Sequence, residues 1–241
     1  MAQSIDVNKM LQESKAVASG HFVYKALYKH GAGYIDKDMF PYIGAQNLVA
    51  LLEAEAEKAL DMGLELSKYK NAVLVTPAYG AIKYGLPLAA CLEKRTGTKI
   101  IVVETEVEKD ETGKRYHIIP ENQKKKIVDL PLFCKEDIVN NGTTIREVSE
   151  LYQKELGMSL FAALSTVDRG GQTAETLGVS QYYPFLRLDM DQHDVRIGPC
   201  PQCAAGIPIN TDLGKGEGWV KMFGQPPYLP DMDFSAFWNA K

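Results

Sequence analysis

Short unbroken apolar runs, each followed by a stretch with helical spacing, most restrict what this chain can fold into. Ala72-Val73-Leu74-Val75-Thr76 and Lys99-Ile100-Ile101-Val102-Val103 read as strands buried on both faces, as parallel strands are. Leu130-Pro131-Leu132-Phe133-Cys134, with Pro131 at a strand start or edge, Leu160–Leu164 and Tyr183–Leu188 extend the series. Between them, residues 45–68 place Leu48, Leu52, Ala56, Leu60 and Leu64 on one helical face. A second helix is expected from the Pro77/Gly80 break to about Arg95, a third over 143–156, and a helical turn near Thr173–Leu177. Residues 104–128 are polar, with a turn at Glu111-Thr112-Gly113, and fit a hairpin or flap. This alternation predicts an α/β fold, a Rossmann-like parallel sheet covered on both faces, with ligands at the carboxyl ends of its strands.

Composition narrows the partners. With 241 residues, 45% hydrophobic and 24% charged, the chain can bury a substantial core. A formal net charge of −4 lacks the basic surface of a nucleic-acid binder but leaves anionic small ligands open. No apolar run approaches the roughly 20 residues of a membrane span. The polar start Met1-Ala2-Gln3-Ser4 does not read as a secretory signal. Four cysteines do not suggest a disulfide framework. A cytoplasmic enzyme or binding protein is expected.

The chemistry concentrates at residues 132–146. An apolar strand leads to two adjacent carboxylates, Glu136 and Asp137; a polar turn, Asn140-Asn141-Gly142, follows; Thr143 and Thr144 open a helix. Unpaired N–H groups at a helix start bind phosphate, Gly lets the backbone approach it, and Asn and Thr add donors. The carboxylates stand where they could accept hydrogen bonds from sugar hydroxyls. The plain alternative is a strand-to-helix turn with Thr143 as N-cap and both carboxylates solvated.

These residues resemble the signature of the type I phosphoribosyltransferases: an apolar strand, two acidic residues, two apolar residues and a Thr/Gly-rich phosphate loop. Glu136-Asp137 match the acidic pair, Ile138-Val139 the apolar pair, and Gly142 and Thr144 the loop. Asn140 and Asn141 stand where Thr is usual, and Lys135 replaces an apolar residue. Within that family the chain looks most like the orotate enzymes. Gly20-His21-Phe22-Val23 with Tyr34-Ile35-Asp36-Lys37 is similar to their N-terminal hood. Thr76-Pro77-Ala78-Tyr79-Gly80-Ala81 is similar to their pyrophosphate loop, and Val167-Asp168-Arg169 to their base-recognition loop. The matches keep the family's order over about residues 20–190.

The resemblance implies a helix and hood over 1–44, a phosphoribosyltransferase core over 45–190 and an irregular tail over 191–241, in one compact domain. It implies a glycosyltransferase that uses 5-phosphoribosyl-1-pyrophosphate with Mg²⁺, a nitrogenous base as second substrate, and a homodimer. Glu136 and Asp137 would hold the ribose hydroxyls, and Asn140, Asn141, Gly142, Thr143 and Thr144 the 5′-phosphate. Tyr79 and Gly80 would present backbone donors to the pyrophosphate. Arg169 would read the acidic edge of the base with help from Lys25; for Lys25, Lys37 and Arg169 the plain alternative is an ordinary surface or paired cation.

One departure bears on catalysis. Where the orotate enzymes carry an Arg-Lys-Glu motif this chain has Glu104-Thr105-Glu106, so two positive charges for the leaving group are missing. Lys109, with Lys114 and Arg115 beside it on the polar flap, is the substitute candidate; Lys124-Lys125-Lys126 reads as a solvated face. Three functions follow: transfer to orotate or a related pyrimidine, sugar-phosphate binding without catalysis in a regulatory protein, and transfer to a purine.

Cys200-Pro201-Gln202-Cys203 lies in the Gly/Pro-rich tail, while Cys91 and Cys134 read as core residues. The pair reads first as a structural turn. A structural zinc at Cys200 and Cys203 is an alternative that needs further ligands, with His193 third and Asp191 fourth, or a second pair across a dimer. A redox dithiol is the remaining alternative.

Overall fold

The computed structural model describes residues 16–24, 29–36, 44–188, 190–198, 200–229 and 232–234. The expected N-terminal helix, Lys25 and Lys37 lie outside them. The described chain divides into two units, one within 44–189 and one formed from 6–43 together with 190–241.

The first unit is built on a five-stranded sheet. β3 (Asn71–Thr76), β4 (Lys99–Glu104), β7 (Leu132–Val139), β8 (Leu160–Asp168) and β9 (Gln181–Arg187) run in the order β4-β3-β7-β8-β9. Every pairing is parallel, as the unbroken apolar runs require. Strand alternation sends Val73, Val75, Val103 and Cys134 into one core, shared with α3 (Glu121–Ile127), α4 (Thr143–Leu156) and α5 (Ala174–Leu177) through Ile127, Ile145, Val148, Tyr152 and Leu177. The opposite face is covered by α1 (Ala45–Asp61) and α2 (Ile82–Thr96), where Gly85 lets α2 close onto Thr76 and Val102.

Several boundaries differ from expectation for local reasons. α1 stops at Asp61 rather than 68; Gly63 turns the chain, and Leu64 is buried beyond the helix. β7 does not end at Cys134. Pairing with β8 as far as Val139↔Asp168 carries Glu136 and Asp137 into the sheet, despite the weak strand preference of acidic residues. The polar flap is the hairpin β5 (Glu106–Lys109) and β6 (Arg115–Ile118), turned by Asp110, whose Oδ1 accepts from the Thr112 and Lys114 amides. α3 follows Pro120 and was not anticipated. It buries Ile127, while Lys124 pairs with Glu121 and with Glu155 at 2.8 Å.

The second unit pairs β1 (Val17–Val23) antiparallel to β2 (Lys29–Ile35), and β2 to the two-residue β10 (His193–Asp194). The tail is less irregular than its Pro and Gly content suggests: it forms α6 (Pro201–Ala204) and α7 (Gly216–Phe223). Val23, Ile209 and the fully buried Trp219 make a small core, flanked by Val195, Val220, Phe223, Tyr228 and Phe234. No helix among the described residues is long and apolar enough to cross a membrane.

Candidate functional site

Two loops at the carboxyl ends of β7 and β8 bring together the residues expected to meet a sugar phosphate. β7 delivers Glu136, 9% exposed, and Asp137, 2% exposed. Neither is a solvated surface acid, so the plain turn reading fails for this pair. The Asp137 carboxylate is steadied by the Ile138 amide, which donates to Oδ1 at 2.7 Å. Burying two adjacent carboxylates is costly unless donors or cations meet them.

Beyond Val139 the chain turns through Asn140 and Asn141, and the N-cap of α4 is Gly142, not Thr143. Gly142 has φ 72°, and a Cβ there would run into the Leu177 side chain, so glycine is required by both conformation and space. Its cap position supplies no side-chain oxygen to the helix start. Asn141 Oδ1 accepts from the Thr143 amide at a long 3.3 Å. The start of α4 therefore keeps the donor character and positive dipole end that favour an anion. Glu136, Ile138 and residues 139–145 line a half-open cavity of about 90 Å³. A cavity of that size at a helix start can admit a small anion.

Arg146, which sequence reasoning overlooked, fastens this loop. Its Nη1 donates to the Asn141 carbonyl at 2.8 Å and to the Thr176 carbonyl at 2.9 Å. Its signal in the sequence is a cation in the first turn of the helix that follows the polar turn.

Residues 168–172 pack against the same turn. The Arg169 amide donates to the Val139 carbonyl at 2.9 Å, which sets half-buried Arg169 beside the loop after β7. Asp168, 1% exposed, organises the turn: its Oδ1 accepts from the Gly170 and Gln172 amides, and its Oδ2 lies 3.0 Å from Arg187.

The third segment follows β3. Thr105, fully buried after β4, holds it: its Oγ accepts from the Ala78 amide at 3.1 Å and meets His117 Nδ1 at 2.8 Å. Tyr79 is 70% exposed and Gly80 half-buried. In register with Thr76, Glu104 stands half-buried at the end of β4. Lys109 and Arg115 face each other near the exposed tip of the hairpin, with Lys114 in its turn. Lys109 is five residues past Glu104, ~16 Å along extended chain.

No family model and no curated protein sequence matches the chain. Solved structures do. The orotate phosphoribosyltransferase of Aeropyrum pernix matches at TM-score 0.50 and 21% identity, over 74% of this chain and 92% of that one. The orotate phosphoribosyltransferase of Francisella tularensis matches at TM-score 0.53 and 11% identity, over 76% and 86%. The chain has the type I phosphoribosyltransferase fold. An adenine phosphoribosyltransferase is similar to the same degree, at TM-score 0.51 and 16% identity over 73% and 99%, so this fold does not select the base. In a type I phosphoribosyltransferase fold, Lys135 is the least expected neighbour of the acidic pair. It is wholly buried, with Nζ 2.7 Å from Glu55 Oε1 and 2.6 Å from Thr166 Oγ1. An intramolecular ion pair thus fills the place where an apolar side chain was expected.

The cysteine pair belongs to the second unit. Cys200 is the N-cap of α6, Pro201 its first residue, and Cys203 lies one turn on. The histidines beside them are His21 and His30, not His193. His193 stands in β10 opposite His30, and Asp191 is exposed. Single histidines in two strands offered no spacing by which to anticipate this.

Proposed function

We propose that the chain is a phosphoribosyltransferase that binds 5-phosphoribosyl-1-pyrophosphate at the carboxyl edge of its sheet and transfers ribose 5-phosphate to orotate. The observation that carries this reading is the buried Glu136–Asp137 pair directly ahead of the open helix start at Gly142. Carboxylates at a strand end can accept hydrogen bonds from ribose hydroxyls, and a helix start favours a phosphate; a phosphorylated ribose offers both groups on one molecule. Glu136 and Asp137 hold the ribose hydroxyls, residues 140–144 the 5′-phosphate, and the Tyr79 and Gly80 amides the pyrophosphate. Arg169, beside the phosphate loop, reads the base.

In the reaction the C1–O bond breaks and its electron pair leaves with pyrophosphate. A ring nitrogen of the base forms the C1–N bond and gives up its proton to solvent. The oxygen donors at Glu136 and Asp137 suit Mg²⁺ entering with the activated sugar. Mg²⁺ supplies charge that offsets the departing pyrophosphate. Lys109, Lys114 and Arg115 supply the remaining positive charge from the hairpin. The working unit is a homodimer, which light scattering would show as twice the chain mass.

Glu104, in register with Thr76 beside the pyrophosphate segment, favours a second reading. In it the protein binds the activated sugar without turning it over and acts as a regulator. Incubation with the activated sugar, Mg²⁺ and a panel of orotate, uracil, adenine and hypoxanthine separates the readings. Pyrophosphate release with orotate supports the first. Release with a purine alone replaces orotate by a purine. Binding without release from any base supports the regulator.

A further inference from the structure

We propose that His21, His30, Cys200 and Cys203 form a structural zinc site that ties the β1–β2 hairpin to the C-terminal tail. The second unit alone carries this inference, which is independent of the sugar-phosphate reading.

The spacing of the ligand atoms is the first argument. A tetrahedral zinc with Zn–N near 2.05 Å and Zn–S near 2.3 Å has N···N, N···S and S···S edges of about 3.3, 3.6 and 3.8 Å. His21 Nε2 lies 3.1 Å from His30 Nδ1, 3.7 Å from Cys200 Sγ and 3.6 Å from Cys203 Sγ. His30 Nδ1 lies 3.3 Å from Cys203 Sγ, and all four ligand atoms fall within 4.8 Å of one another. Four converging atoms at these separations outline a coordination tetrahedron. Two thiols and two imidazoles are a borderline-soft donor set that suits zinc.

The surroundings are the second argument. His21 and Cys200 are 1% exposed, His30 is 0% and Cys203 is 8%. His21 donates from Nδ1 to the Ile207 carbonyl at 2.7 Å, which fixes the tautomer and leaves Nε2 as the ligand. The His30 ring stands edge-on to Trp219, with centroids 4.4 Å apart, so the small core sets its orientation. With four protein donors no position remains for substrate, which marks the site as structural rather than catalytic.

Topology supplies the third. Cys200 and His21 are 179 residues apart, and among the described residues the small core of this unit is built on Val23, Ile209 and Trp219. A metal clip across so long a loop is an effective staple for a small core.

The test uses the full chain, purified under reducing conditions without an affinity tag that binds metal and dialysed against metal-free buffer. Elemental analysis is expected to find one zinc per chain. Exchange with Co²⁺ is expected to give the visible bands of a tetrahedral ion and the near-ultraviolet band of cobalt–thiolate bonds. The variant Cys203→Ser is expected to lose zinc, and proteolysis should then cut the tail before the parallel-sheet unit. A second variant, His193→Ala, keeps the test sound if Cys203→Ser does not fold, since it should retain one zinc per chain. A wild-type protein that emerges without zinc and takes up neither Zn²⁺ nor Co²⁺ would overturn the proposal. So would a tetrahedral Co²⁺ spectrum that lacks the thiolate band, or loss of zinc in His193→Ala.

Discussion

Gly170 packs so closely on Asn140 that a Cβ on Gly170 would overlap the Asn140 carbonyl oxygen. The loops after β7 and β8 are thus one packed assembly, and Arg169 cannot shift without disturbing the turn assigned to the 5′-phosphate. Gly170→Ala should destabilise the chain by about 2 kcal/mol or more, as overlaps with backbone do. It should also weaken ribose 5-phosphate binding at least about tenfold. Urea denaturation and calorimetry check both; an unchanged affinity would show that the two loops are not coupled.

Arg146 offers a milder way to loosen the same turn. Its two hydrogen bonds to the Asn141 and Thr176 carbonyls span the turn before α4 and the end of α5. Arg146→Ala should raise the dissociation constant for ribose 5-phosphate about tenfold, given about 1.5–3 kcal/mol for hydrogen bonds to a charged group, reduced by partial exposure. Retained affinity would leave Arg146 a purely structural role.

Lys135 and Glu55 form an ion pair with neither side chain more than 1% exposed. Removing one charge leaves the other buried and unmatched. Lys135→Met should cost about 3–5 kcal/mol in urea denaturation, and Lys135→Met with Glu55→Leu should recover most of it. If the double variant is no more stable than the single one, the pair is not what sets the cost.

How far the sequence reveals this molecule depends on the range of the forces involved. α4 was readable to the residue, because its start at Thr143 and its stop before Gly157 are set by nearby chain. The alternation of strands and helices was equally plain, since each strand is apolar on both faces. The continuation of β7 through Glu136 and Asp137 was not, because pairing with β8 decides it. Lys135 looked like a mismatch until Glu55, eighty positions earlier, came to meet it. The zinc ligands were half legible: Cys200 and Cys203 announce themselves by spacing, whereas His21 and His30 converge only through the β1–β2 register and the returning tail.

In the proposed reaction, charge for the leaving group comes from the hairpin. Glu104 and Glu106 bring no positive charge to the pyrophosphate segment, and Lys109, Lys114 and Arg115 are the cations on the element that follows. Replacing all three by alanine should lower kcat about 10²-fold with a smaller change in KM, as loss of leaving-group stabilisation does. Equal turnover by the variant in a pyrophosphate-release assay would remove the hairpin from the mechanism.

Glu136, Asp137 and the turn before α4 are the proposed seat of the activated sugar. Calorimetric titration of 5-phosphoribosyl-1-pyrophosphate with Mg²⁺ into the wild-type chain and into Asp137→Asn tests it most directly. The account predicts saturable binding at one site per chain, weakened about 10- to 100-fold in the variant by loss of a charged acceptor worth about 1.5–3 kcal/mol, with the thermal transition unchanged. Absence of binding to the wild-type chain, or equal affinity in a folded Asp137→Asn variant, would contradict it.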